Sequence, residues 1–371
     1  MCESTPRCLP EDIMLNERYK IGRVIGEGSF GITYIGKDLL LNITVAIKEY
    51  FPLSYGSRDV RGRDDYSIYI YHGKNSELYN KGLSDFYSEA TILSQFHSLD
   101  GIVSVRDFFY LNNTAYIVMD YVDGITLKEY VRKNGAIKGQ EAFLMMKPII
   151  RSLKKIHDAK ILHRDISPDN ILIRIKEKQL VLIDFGSARE KNVMTDKSLT
   201  VTFKRGYTSE EQYLRKGRQG RSDVYSLCAA MYFMLTGKEP NESIERMLKD
   251  RLVPLSEIEN IDLTKRQKQA IMQGMSIKAE DRIQSMDELY SELYNKKRFS
   301  FNIRINNRTK TIGKMAVLFI AVAMAGIVVG FAVNNRRMFT KNKGAVAQVS
   351  ANPVITQQTE ETKEPDSRYY M

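Results

Sequence analysis

The run Gly26-Glu27-Gly28-Ser29-Phe30-Gly31 narrows the fold of this chain more than any other stretch. Its three glycines let a backbone hairpin close tightly and offer amide protons to a bound phosphate. The residues after the third glycine decide between two architectures. A dinucleotide-binding crossover needs a helix at that point. Here Ile32, Thr33, Tyr34 and Ile35 continue with β-branched and aromatic strand formers. The pattern predicts strands over residues 19–25, 31–37 and 44–48, with a glycine turn between the first two. A hairpin over a phosphate is expected, and a doubly wound dinucleotide fold is not.

The residues downstream add chemistry to that hairpin. Val45-Ala46-Ile47-Lys48 ends the third strand on a lysine. Glu89 falls within an amphipathic helical pattern carried by Phe86, Ala90, Leu93 and Phe96, where a carboxylate can hold the Lys48 ammonium against phosphates. The polar stretch 51–84 reads as an insertion. Helical periodicity dominates from Leu127 onward, broken by short strands near residues 171–175 and 180–183. Around that strand pair stand His163-Arg164-Asp165-Ile166-Ser167-Pro168-Asp169-Asn170 and Asp184-Phe185-Gly186. These five motifs, in this order, resemble the eukaryotic-like protein kinase family over about residues 19–293. Within it, Gly31-Ile32-Thr33-Tyr34, Glu49-Tyr50-Phe51-Pro52 and Gly206-Tyr207 before Glu210-Glu211-Gln212-Tyr213 look closest to bacterial membrane-linked serine/threonine protein kinases.

The resemblance implies an α+β, two-lobed protein kinase fold. A small β-rich N-lobe (19–118), a hinge (119–123) and a larger α-helical C-lobe (124–293) would come after an N-terminal extension, residues 1–18. It further implies that ATP lies under Ile25, Gly26, Glu27, Gly28, Ser29, Phe30, Gly31 and Thr33, with Ala46 as the adenine roof. Met119 would back the adenine pocket, and the backbone of Asp120 and Val122 would supply hinge hydrogen bonds. Lys48 would grip the phosphates and Glu89 would position Lys48. Asp165 would be the catalytic base or orienter, while Asn170 and Asp184 would hold Mg²⁺ (or Mn²⁺) as hard oxygen ligands. Glu211 and Arg282 would form a buried pair, Asp223 would brace the catalytic loop, and His163 would be a packed anchor. Arg164 would meet a phosphorylated activation loop, for which Thr195, Ser198, Thr200 and Thr202 are the candidates.

Departures from the family pattern are as informative as the matches. Most serine/threonine kinases carry lysine two residues after the catalytic aspartate, whereas this chain has Ser167. Counting back from Glu211, the place where many keep a threonine facing that aspartate holds Lys204. The two residue types stand exchanged, so Lys204 is a candidate to supply the missing positive charge, against the plainer reading of an exposed loop lysine. Thr33 replaces the usual valine after the glycine loop, and Thr208-Ser209 the usual Ala-Pro before the closing glutamates. Three functions stay in view: an active protein kinase, an ATP-binding pseudokinase motivated by Ser167, and a small-molecule phosphotransferase. The set Glu211, Asp223 and Arg282, which supports a peptide-binding segment, disfavours the third.

Residues 315–333 carry no charged side chain and are long enough to cross a hydrocarbon core as a helix. Upstream lie Lys296, Lys297, Arg298, Arg304, Arg308, Lys310 and Lys314, against Arg336, Arg337, Lys341 and Lys343 downstream. That bias favours a cytoplasmic N-terminal side, giving a single-pass cell-membrane protein with its catalytic domain inside. The basic juxtamembrane segment (294–314) leads into the span, and a disordered polar tail (334–371) would lie extracytoplasmic. Gly326 and Gly330 share a helix face, which suits a homodimer. Cys2, Cys8 and Cys228 have neither metal nor disulfide spacing, consistent with a reducing compartment. The net charge of +11 is accounted for near the membrane and in phosphate-facing loops, so protein substrates and a membrane are the expected partners and nucleic acid is not.

Overall fold

Six strands build the smaller lobe because β-branched and aromatic residues alternate toward one buried face. They are β1 (Met14–Leu15), β2 (Tyr19–Gly28), β3 (Gly31–Asp38), β4 (Ile43–Tyr50), β7 (Val105–Leu111) and β8 (Thr114–Asp120), in the order β1-β2-β3-β4-β8-β7. Tyr19, Ile21, Tyr34, Ile47, Tyr116 and Val118 fill the core of the sheet. A two-stranded ribbon, β5 (Gly56–Ser57) and β6 (Tyr69–Ile70), precedes helix α1 (Lys74–Leu93), which buries Tyr79, Phe86 and Ala90. The structure, a computed structural model, describes residues 7–28, 30–60, 65–185, 203–214 and 220–295.

Two boundaries differ from the sequence expectation. Helix α1 begins at Lys74, inside the stretch expected as an insertion. Its buried residues are so widely spaced that the first turns read as polar loop. Residues 7–18, part of the segment expected as an extension, belong to the lobe: β1 pairs with β2, and Cys8, Leu9 and Leu15 are buried in its core. Gly31 shows why the hairpin needs glycine there. A Cβ at that position would lie 2.1 Å from the Glu49 carbonyl oxygen, so the two backbones meet where no side chain fits.

In the larger lobe, α2 (Leu127–Asn134) starts at a capping box made by Thr126 and Glu129. It is followed by α3 (Gly139–Asp158). The short strands β9 (Ile125–Thr126), β10 (Ile171–Arg174) and β11 (Gln179–Leu182) form one antiparallel sheet. Helices α4 (Glu210–Tyr213), α5 (Gly220–Thr236), α6 (Ser243–Leu248), α7 (Lys265–Gly274) and α8 (Met286–Tyr294) complete the lobe. Every residue of α5 from Ser222 to Leu235 is buried, so this helix is the pillar around which the others pack. Because α5 is fixed, Asp223 in its first turn is a rigid point beside the loop 163–170.

The chain divides after Lys296, and its second unit, residues 297–371, lies outside the described residues. With it lie most of the juxtamembrane segment, the 315–333 span with Gly326 and Gly330, and the polar tail. Ser29, Gly186, Thr195, Ser198, Thr200 and Thr202 also fall outside. Among the described residues no helix is long and apolar enough to cross a membrane.

Candidate active site

Asp223 organises the loop that carries Asp165. Its buried carboxylate accepts hydrogen bonds from the backbone N–H of His163 at 2.8 Å and of Arg164 at 2.7 Å, and from His157 Nε2 at 2.8 Å. Burial alone would raise its pKa, but the His157 hydrogen bond and charge and the loop N–H groups hold it below the usual carboxylate value. Arg164 sits in the left-handed region at φ 67°. Gln212 fastens the same residue by donating to its carbonyl at 3.0 Å. His163 is fully buried against Phe185, with ring centroids 4.3 Å apart and Nε2 3.2 Å from the Ile183 carbonyl. Desolvation lowers its pKa, which suits a neutral packed anchor.

Asp165 and Asn170 are bonded to each other directly. Asn170 Nδ2 donates to Asp165 Oδ2 and to the Asp165 carbonyl, each at 2.8 Å. The Asn170 carbonyl accepts from Ile183 N at 2.9 Å, which sets Asn170 next to the chain that carries Asp184. Burial pushes the Asp165 carboxyl up to about 6; Lys204 opposes the rise, Asp184 adds to it, and Asn170 and Lys48 oppose it. The Lys48 ammonium is ion-paired with Asp184, itself left-handed at φ 62°. Lys48 thus takes Asp184 as its partner and not Glu89, which the resemblance placed there. Glu89 lies buried on α1.

The wall that the resemblance assigns to ATP is set by strand register. Thr33 pairs with Lys48 and with Gly26, and Ala46 pairs with Met119. Ala46 and Val122 are buried, whereas Ile25 and Phe30 are exposed at the hairpin. The Asp120 N–H already donates to the Ser104 carbonyl at 3.0 Å, and its carboxylate pairs with Arg106. Any hinge bond from Asp120 therefore uses its carbonyl. The donor set also fits a hard divalent cation: Asn170 spends its amide N–H on Asp165, which leaves its Oδ1 as an acceptor, and Asp184 supplies a carboxylate.

Ser167 is fully buried, and its Oγ has no hydrogen-bond partner among the described residues. Lys204 stands close enough for its charge to act on Asp165. A turn fixes its backbone, with Lys204 N donating to Thr208 Oγ1 at 3.1 Å and its carbonyl accepting from Tyr207 N at 3.0 Å. At the end of this segment Glu211 meets Arg282 in two hydrogen bonds of 2.8 and 3.2 Å, and Ser222 Oγ donates to Glu211 at 2.6 Å. The structure brings together Asp165, Asn170, Asp184, Lys48 and Lys204. Sequence reasoning missed His157, Gln212 and Ser222, whose partners lie far along the chain and leave no local signal.

The profile of the protein kinase domain matches residues 19–302. The chain belongs to the protein kinase family. It is 34% identical over 234 residues to serine/threonine-protein kinase PrkC of Bacillus subtilis, covering 61% of this chain and 31% of that one. It is 30% identical over 294 residues to a probable serine/threonine-protein kinase of Clostridium acetobutylicum, covering 76% and 40%. The chain thus spans about a third to two fifths of the length of these curated relatives. Among solved structures, the PpkA-294 apo form matches with a TM-score of 0.67 and 32% identity, over 77% of this chain and 99% of that one.

Proposed function

We propose that this chain is an ATP-dependent serine/threonine protein kinase, anchored to the cell membrane by residues 315–333, with its catalytic domain cytoplasmic. The observation that carries the reading is Asp165, held by Asn170 at 2.8 Å and close enough to the Lys48 and Asp184 pair for their charges to act on it. Asp165 accepts the proton of the substrate hydroxyl as that oxygen bonds to the γ-phosphorus of ATP and the bond from that phosphorus to the β–γ bridging oxygen breaks, releasing ADP. Lys48 binds and orients the phosphates, and the glycine hairpin closes over them. Bound to Asn170 and Asp184, Mg²⁺ would neutralise phosphate charge. Names of the relatives favour serine or threonine as acceptor. Incubating the full chain with Mg-ATP and peptides bearing Ser, Thr or Tyr tests this; transfer to Tyr alone would refute it. Autophosphorylation between neighbours, paired through Gly326 and Gly330, fits the same reading.

Lys204 takes the place of the absent catalytic-loop lysine. Its fixed backbone and its field on Asp165 support that role, while Ser167 brings no charge. Lys204→Thr is expected to lower kcat by about 100-fold, the scale of losing one donor to developing phosphoryl charge. Adding Ser167→Lys should recover much of that loss. A double variant no better than the single one would remove Lys204 from the mechanism.

Asp165 also gives the reaction a pH signature. Its carboxyl must be ionised to accept a proton, and burial raises its pKa to about 6. The expected kcat/KM is flat above that value and falls as pH drops below it. A flat profile from about pH 5 to 8 would contradict the base role. A pseudokinase would bind ATP and show no profile at all.

A further inference from the structure

The residues just before the first strand reach the glycine hairpin. Arg7 Nη2 donates to Glu27 Oε2 at 2.5 Å, and Cys8 Sγ donates to Glu27 Oε1 at 3.3 Å. Both oxygens of the glutamate in Gly26-Glu27-Gly28 are therefore engaged from outside the hairpin. The holding segment is itself fastened to the sheet. Arg58 Nε donates to the Arg7 carbonyl at 2.9 Å, and Leu9 N donates to the Tyr34 hydroxyl at 3.1 Å. These two anchors converge on one buried carboxylate. Arg58 reaches Glu49 with two nitrogens at 2.6 and 2.8 Å, and Tyr34 donates to Glu49 at 3.0 Å. Glu49 directly follows Lys48 on β4.

We infer that residues 7–9 are a nucleotide-positioning strap, in which Arg7 and Cys8 hold Glu27 and so fix the glycine hairpin relative to Lys48. The inference rests on the ATP reading above. A hairpin over a phosphate is strand ending in two glycines with little side-chain packing of its own, so its height is set by whatever grips it. Here the grip runs through Glu27 to Arg7, to Arg58, to Glu49 and thus to the strand that presents Lys48 to the phosphates. It also gives the segment 51–73 a task, since Arg58 is the residue that pins the strap. Arg7 and Glu27 are positioning residues; they order the hairpin and take no part in the transfer.

A strap acts on ATP in its ground and transition states alike, so it changes affinity more than turnover. The side chains of Arg7 and Glu27 are 31% and 26% exposed, which limits the effect of one such pair. In the full chain in detergent, Arg7→Ala is expected to weaken Mg-ATP binding by about fivefold and to raise its KM alike, with kcat within about twofold. The charge exchange Arg7→Glu with Glu27→Arg should bring affinity back toward the original. Arg18→Ala serves as the structural control, because it breaks an ion pair with buried Asp38 at the far end of the same hairpin strands. It should lower Tm without moving KM for ATP. An Arg7→Ala chain that binds Mg-ATP as tightly as the original would overturn the strap, as would an Arg18→Ala chain with the same KM shift. If the original chain binds no Mg-ATP, the kinase reading itself falls, which separates the two failures.

Discussion

Asp165→Asn is expected to cut phosphoryl transfer by about 1000-fold while Mg-ATP affinity stays within about twofold, measured by steady-state kinetics and nucleotide titration. The amide can still accept the hydrogen bond from Asn170, so the loop keeps its shape. The variant loses only the group able to take a proton from the attacking hydroxyl. The brace from Asp223 to the backbone of His163 and Arg164 does not involve the Asp165 side chain, so folding should change little. Equal loss of binding and turnover would mean that Asp165 shapes the site without taking the proton.

Arg282→Met is expected to cost about 3–5 kcal/mol, visible as a lower denaturant midpoint with an unchanged slope. The Arg282 side chain is fully buried, bonds Glu211 twice and donates to the carbonyls of Ser276, Ile277 and Arg221. Truncation leaves the Glu211 charge buried without its partner. Adding Glu211→Leu should return part of the stability, since the penalty comes from the orphaned charge. The pH dependence has a definite sign. Burial works to raise the Glu211 pKa, but Arg282 and Ser222 outweigh it and hold it below the ordinary 4.5. The pair's contribution is therefore complete above that value and is lost as pH falls through the lowered one. Asp223, likewise depressed, adds to acid lability in the same direction.

Much of this architecture was legible in the sequence because local pattern and chemistry coincide there. Ile32 to Ile35 excluded a helix after Gly31, and β3 runs from Gly31 to Asp38 as that pattern requires. Asp223, Glu211 and Arg282 stood out by their motifs, and in the structure Asp223 grips the loop at His163 while Glu211 meets Arg282. Register could not be read in the same way. Nothing in the one-dimensional pattern tells that Arg58 folds back on Glu49, or that Arg7 reaches across to Glu27, because contact between charges depends on where loops return. The start of α1 was hidden by its sparse buried positions, Tyr79 and Phe86 standing two turns apart. The partner of Lys48 was hidden for a different reason. Both Glu89 and Asp184 are carboxylates suited to the ammonium, and only the folded chain, in which Lys48 is ion-paired with Asp184, selects between them.

One measurement reaches the central claim most directly: incubating the full chain with Mg-ATP and mapping the modified residues by mass spectrometry. The expected result is phosphate on Ser or Thr hydroxyls of the chain or an added protein, absent in Asp165→Asn. Tight nucleotide binding with no phosphorylated residue on any protein offered would contradict it and leave an ATP-binding module in place of an enzyme.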